Sequence, residues 1–379
     1  MDEKALTRLY DYMVTIRRQL HGYPEVGFDL PRTCALVESE LSQMGIMPSK
    51  NYGTCCLVAE IGQGDTTIAL RADMDALPVE EKTELPYRSR IPGCMHACGH
   101  DTHTAILLAV AKYLKERESQ LRCKVRLIFQ SAEECAISGA KMMVDLGVMK
   151  NVDQVLCAHC DNTIPTGFIG ICPGDYMAAC VPLTITFLGK TSHATLPQFG
   201  VDANAMAVEA YQALKQAIQD LAGTRPYIWS VGRISGGQAH NVISDRCTMD
   251  ISFRFYSMEL ARRMETKTRQ ICDQIAAKFG GTAEIDWHMS TGPVRNDPAI
   301  TAQFRDAALA AGLDVQSMPP RMSSEDFAWY LTKVPGMIFR FGTRNEALGC
   351  TGSAHSNDFM PDEQGMAYAL RAFCAFVMK

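Results

Sequence analysis

Between Met95 and His103 the chain places three imidazoles, one thiol and one carboxylate around a single glycine. Thiolate and imidazole are the ligands that borderline-soft divalent cations favour. Gly99 permits a bend that aims Cys98 and His100 at one point. The apolar run from residue 104 to 114 reads as a buried helix, with Asp101 or Thr102 as its cap. The expected chemistry is a metal loop opening onto a helix. The alternative is a turn that is merely rich in histidine.

Three stretches read as strands, and each leads to further ligand types. Residues 66–71 run to Asp73-Met74-Asp75, and residues 124–130 run to Glu133-Glu134. Residues 152–157 are predicted to end just before His159. In open α/β sheets, ligands bind beyond the carboxyl ends of strands. A polar loop, Gly352 to Ser356, adds His355. Metal-dependent hydrolysis needs cation ligands, a base for the attacking water and donors for an oxyanion. Adjacent carboxylates in an irregular turn can point apart, so one of Glu133 and Glu134 could bind metal while the other serves as base. A solvated acidic turn is the alternative reading of that pair. A Cys98 nucleophile with His100 as its base is a competing mechanism, but it leaves Glu133, Glu134, His159 and His355 without a role.

The remaining elements must position these groups. At 379 residues two domains are expected. Helices are predicted at about 4–21 and 31–44, and a strand at 55–61. From residue 181 the pattern becomes β-α-β-β-α-β, with strands at 182–188, 227–234, 247–255 and 282–287 and helices at 201–222 and 258–279, a ferredoxin-like order. The first pattern resumes with a helix at 298–311, a strand at 337–341 and a terminal helix at 362–378. The fold class is therefore α/β. A discontinuous catalytic domain would span 1–178 and 293–379, and an inserted lid or dimerisation domain 179–292. The net charge of −5 gives no case for binding nucleic acid or an anionic membrane. No apolar run reaches membrane-spanning length, and no signal-peptide core follows Met1, so a cytoplasmic location is expected. Fifteen scattered cysteines then read as reduced thiols, most of them in the core.

The chain resembles the family of two-metal amidohydrolases and peptidases that includes aminoacylases, hippurate hydrolases, auxin-conjugate hydrolases and carboxypeptidase G-type enzymes, and within it the N-acyl-amino-acid amidohydrolases. The resemblance rests on Leu20 to Glu25, Arg71 to Pro78, Met95 to His103, Phe129 to Glu134, Ala239 to Ile243, Ser324 to Phe327 and His355-Ser356. It implies a mixed-sheet catalytic domain of the zinc-exopeptidase type holding two divalent ions (Mn, Zn, Co or Ni). Cys98 would bridge the ions, and His100, Glu134, His159 and His355 would complete their shells. Glu133 would be the general base, and Asp75 would orient a ligand. His193 would stabilise the oxyanion in a partner subunit's site. Asn241 and Arg254 would hold the substrate carboxylate, although Arg254 could equally be a surface charge. His96 and His103 would support rather than ligate.

The resemblance further implies a homodimer, or higher homo-oligomer, formed through the inserted domain. The substrate would be a small N-acyl amino acid. A dipeptidase or carboxypeptidase activity is the runner-up, and a silent metal- or ligand-binding protein the third reading. The chain departs from the family where an apolar residue and Pro usually follow His159. Here Cys160-Asp161-Asn162 stands instead. Ser131, Gln198 and Asn357 are further departures. Cys160 or Asp161 could alter metal preference.

Overall fold

The computed structural model describes residues 1–379. The chain divides into two compact units. One comprises Met1–Gly174, Arg295–Pro320 and Asp326–Lys379; the other comprises Asp175–Val294 with Arg321–Glu325.

The first unit is built on a seven-stranded mixed sheet. Its strands include β1 (Leu57–Ile61), β2 (Thr67–Asp73), β3 (Lys124–Gln130) and β4 (Gln154–Pro165). The order is β1, β3, β2, β4, then Gly336–Arg344, Phe168–Ile171 and Asp314–Ser317. β2 lies parallel to both β3 and β4, and β1 closes one side antiparallel to β3. Every residue of β2 is buried, as expected for a central parallel strand covered on both faces. Helix α1 (Glu3–Gly22) starts on an Asp2 cap that accepts from the Ala5 amide and buries Leu9, Met13, Ile16 and Leu20 at helical spacing. Helix α2 (Pro31–Gln43) follows. Helix α3 (His100–Lys115) is buried almost all round, so its apolar run has no solvent face.

Three expectations need correction here. The metal-loop helix begins at His100, not Thr104, and neither Asp101 nor Thr102 caps it. Gly99 does so in the left-handed region (φ 85°), without a side-chain bond. β4 does not stop before His159. It continues to Pro165 because Gly336–Arg344 pairs with it in parallel as far as that residue. The polar run Cys160-Asp161-Asn162 hid this, since pairing overrides weak strand propensity. The strands Phe168–Ile171 and Asp314–Ser317 and the helix Gly139–Asp145 are too short to show a period.

The second unit is a four-stranded antiparallel sheet in the order Thr282–Trp287, Ala179–Leu188, Arg246–Phe255, Tyr227–Gly236. The helices Ala203–Ala222 and Met258–Phe279 share its apolar core. Burial alternates along Arg246–Phe255, so a single face of the sheet is buried. The order is that of a ferredoxin-like β-α-β-β-α-β unit. No helix of the chain is long and apolar enough to cross a membrane. No disulfide joins any of the fifteen cysteines.

Candidate metal centre

Parallel pairing sets the site. β2 and β3 run in register to Asp73 opposite Gln130, so the chain beyond each emerges on the same side. There the Asp75 carboxylate accepts from the Glu133 amide (3.0 Å) and the Glu134 amide (3.1 Å), which fixes the acidic turn. Ala132, just before it, has φ 55°, a conformation a non-glycine residue holds only when its surroundings impose it. The Met95–Gly99 loop delivers Cys98, the first residue of α3 delivers His100, and the interior of β4 delivers His159. His355 comes from an irregular loop with φ 69°, and its amide donates to the Ala97 carbonyl at 2.8 Å.

The side chains converge. Cys98, His100 and His159 place their ligand atoms within 4.8 Å of one another, as do Cys98, Glu134 and His355, and His100, Glu133 and Glu134. Cys98 Sγ lies 3.5 Å from His159 Nε2, and His355 Nε2 lies 3.1 Å from Glu134 Oε1. The tautomers follow from the partners. A carbonyl can only accept, so His100 Nδ1 donates to Asp75 O at 2.8 Å and His159 Nδ1 donates to Cys160 O at 2.7 Å. Both Nε2 atoms thus face the cluster, as a lone pair on neutral His159 and, with no cation present, as a second N–H on His100. Buried His100 Nε2 has no hydrogen-bond partner, which a polar atom at that depth tolerates only when something else satisfies it. The thiol, imidazole and carboxylate donors around that atom are a set that fits a divalent cation.

The electrostatics agree. Burial works against a charged His100, but Asp73, Asp75 and Glu134 outweigh it and push its pKa up to about 10. Burial, with Glu134 and Glu133 nearby, raises the Cys98 thiol well above its ordinary value. Burial also opposes the Glu134 carboxylate, yet the His355 hydrogen bond and the His100 charge bring it down. Protons thus neutralise this dense acidic cluster in the way a cation would. His159 is held well down by burial and the Arg340 charge, so its imidazole is neutral.

Behind the candidate ligands lies a polar layer that the sequence reading missed. Asp73 accepts from His103 Nδ1 at 2.6 Å, and His103 Nε2 accepts from the Cys160 amide at 2.9 Å. Both nitrogens of His103 are therefore committed, consistent with a supporting role. Arg71 donates to Asp73, Gln130 and Asp326, and Asp326 also accepts from Gln130, Ser138 and the Ala140 amide. Arg71, Asp73, Gln130 and Asp326 are all buried. The available signal was the polarity of Arg71, Asp73 and Gln130 inside otherwise apolar strands; Asp326, outside any strand, carried none. A second buried cluster braces α3, with Arg17 Nε donating to Asp101 Oδ2 (2.8 Å) and His21 Nδ1 meeting the same oxygen at 2.8 Å. His96 is buried and neutral, its pKa pushed down by burial to about 3.

His193, Asn241 and Arg254 belong to the second unit. His193 sits in the short strand Ser192–His193, paired with Val242–Ile243. Its ring is exposed, and its Nδ1 lies 2.8 Å from Thr195 Oγ1. Asn241 is exposed; its carbonyl accepts from the Ala194 amide. Arg254 is half-buried and donates to the Met322 carbonyl and Ser324 Oγ, so it is not a free surface charge.

Comparison with known proteins adds an independent line. Residues 69–379 match the model of Peptidase family M20/M25/M40. N-acetyl-L-cysteine deacetylase of Bacillus subtilis is 38% identical over 342 residues, covering 89% of this chain and 82% of that protein. Thermostable carboxypeptidase 1 of Saccharolobus solfataricus is 34% identical over 373 residues, covering 96% and 95%. The crystal structure of the Bacillus subtilis YXEP protein, described as a dinuclear metal-binding peptidase of the M20 family, superposes with a TM-score of 0.85 at 31% identity, covering 100% of this chain and 98% of that one. The chain therefore belongs to Peptidase family M20/M25/M40 and is a metallo-amidohydrolase/peptidase of that family.

Proposed function

We propose that the protein hydrolyses the amide bond of N-acyl amino acids, with two divalent cations held by Cys98, His100, Glu134, His159 and His355. The observation that carries this reading is the convergence of these five donors, from four separate segments, around a further carboxylate, Glu133, whose Oε2 is 3.9 Å from His100 Nε2. Cations bound there would lower the pKa of a water and polarise the scissile carbonyl. Glu133 accepts the proton of the attacking water and returns it to the departing amine nitrogen. Asp75 holds the Glu133 and Glu134 amides and the His100 ring, so base and ligands keep their relative positions. His193 donates to the oxyanion from a partner subunit in a homodimer, and Asn241 and Arg254 bind the substrate carboxylate. The name of the Bacillus subtilis deacetylase supports an N-acyl amino acid as substrate.

A second reading is a carboxypeptidase, favoured by the Saccharolobus solfataricus relative. Both substrate types present a free carboxylate next to the cleaved amide. A panel of N-acetyl, N-benzoyl and indole-acyl amino acids against dipeptides, on enzyme supplied with Mn²⁺ or Zn²⁺, separates them by kcat/KM. Glu133→Gln is expected to retain metal and lose at least about 10²-fold in kcat. Near-wild-type turnover would overturn the base assignment.

A further inference from the structure

We propose that Asn162 is a positioning residue that clamps the His355 loop to the strand carrying His159. Asn162 lies three residues after His159 on β4 and is 6% exposed. Its Nδ2 donates to the Gly352 carbonyl at 2.9 Å and to the Met360 carbonyl at 3.0 Å. Its Oδ1 accepts from Thr343 Oγ1 at 2.6 Å, on the neighbouring strand. One amide therefore ties together the two ends of the segment that presents His355.

That segment needs such a tie. It has no helix or strand, and none of residues 351–358 is buried. The His355 side chain is 55% exposed, so packing does little to fix it. Its backbone is in the left-handed region, which a histidine occupies only at a cost that the surroundings must overcome. Backbone bonds to Ala97 and Lys82 hold the middle of the loop; Asn162 fixes the ends. The residue falls in the Cys160-Asp161-Asn162 run, and donation to two carbonyls is a role that an amide fills and a carboxylate cannot.

The inference rests on His355 being a metal ligand. Asn162→Asp keeps the shape and removes the donors; Asn162→Ala removes the side chain. Mn²⁺ titration of chelator-stripped full-length protein, followed by calorimetry, is expected to show two sites in the wild type, one of them weakened about ten-fold or more in both variants. In a His355→Ala background the Asn162 substitutions should weaken Mn²⁺ no further, because both changes act through one ligand. Hydrogen exchange of the 351–361 segment, measured without metal, should quicken in the variants while α3 stays protected. Unchanged exchange there, or an equal loss of Mn²⁺ affinity with and without His355, overturns the clamp. A wild type that binds no Mn²⁺ overturns the metal reading instead, and the exchange measurement still decides the clamp.

Discussion

Gly99→Ala tests whether the bend between Cys98 and His100 is imposed by both backbone and contact. Gly99 has φ 85°, and a non-glycine residue in the left-handed region costs about 1–2 kcal/mol. A Cβ there would also collide with Sγ of Cys160. That sulfur is buried and donates to the Cys98 carbonyl at 3.2 Å, so it cannot swing aside freely. Overpacking of this kind costs about 1–3 kcal/mol. The expected loss for Gly99→Ala is therefore about 2–5 kcal/mol by urea denaturation. In a Cys160→Ala background the collision is gone, and only the backbone part, about 1–2 kcal/mol, should remain. The difference between backgrounds is the coupling energy of the pair. An identical loss in both would refute the argument that Cys160 fills the space a side chain needs.

Asp101→Asn removes one of the two carboxylates paired with fully buried Arg17, leaving Glu363 as the other; a loss of about 1.5–3 kcal/mol in unfolding free energy is expected from the charged hydrogen bond removed, and a change under 1 kcal/mol would count against it. Glu81 supplies an acid-side signature. Burial works against its carboxylate, but the hydrogen bond and charge of His21, with Thr83 and the Ser89 amide, hold it down to about 2. A depressed carboxylate contributes stability above its ordinary pKa and loses it as pH falls. The unfolding free energy should therefore decline between about pH 4.5 and 2, and Glu81→Gln should flatten that part of the profile. Chelation should lower the melting temperature, and added Mn²⁺ or Zn²⁺ should restore it, because a ligand of the folded state stabilises it by mass action; a melting curve indifferent to chelator would argue against a resident metal.

The long elements were legible in sequence because their periodicity is their burial pattern: α1, β3 and the helix Met258–Phe279 fall almost where spacing puts them. Candidate ligand types could be picked out because Cys98, His100 and the Glu133-Glu134 pair stand at element ends marked by glycine or by a stop in the apolar run, while the separate roles of these residues came only from the resemblance. Two things were not legible. The extension of β4 past His159 depends on a partner strand some 180 residues away, which no local pattern carries. The polar layer of Arg71, Asp73, Gln130 and Asp326 depends on register and on distant segments: Arg71 pairs with Asp73 nearby, but its bonds to Gln130 and Asp326 and the bond of Asp73 to His103 join residues far apart in the chain. His193, Asn241 and Arg254 were assigned by resemblance, and the coordinates put them in a separate unit.

The double hydrogen bonding of His103 limits how this centre can change. With one ring nitrogen given to Asp73 and the other taken by the Cys160 amide, the imidazole nearest to His159 has no lone pair to lend. On the proposed ligand set, deleting His159 would leave a gap that His103 cannot backfill without breaking two buried bonds. Exchanging His159 for another donor in place therefore fits this cluster better than recruiting His103.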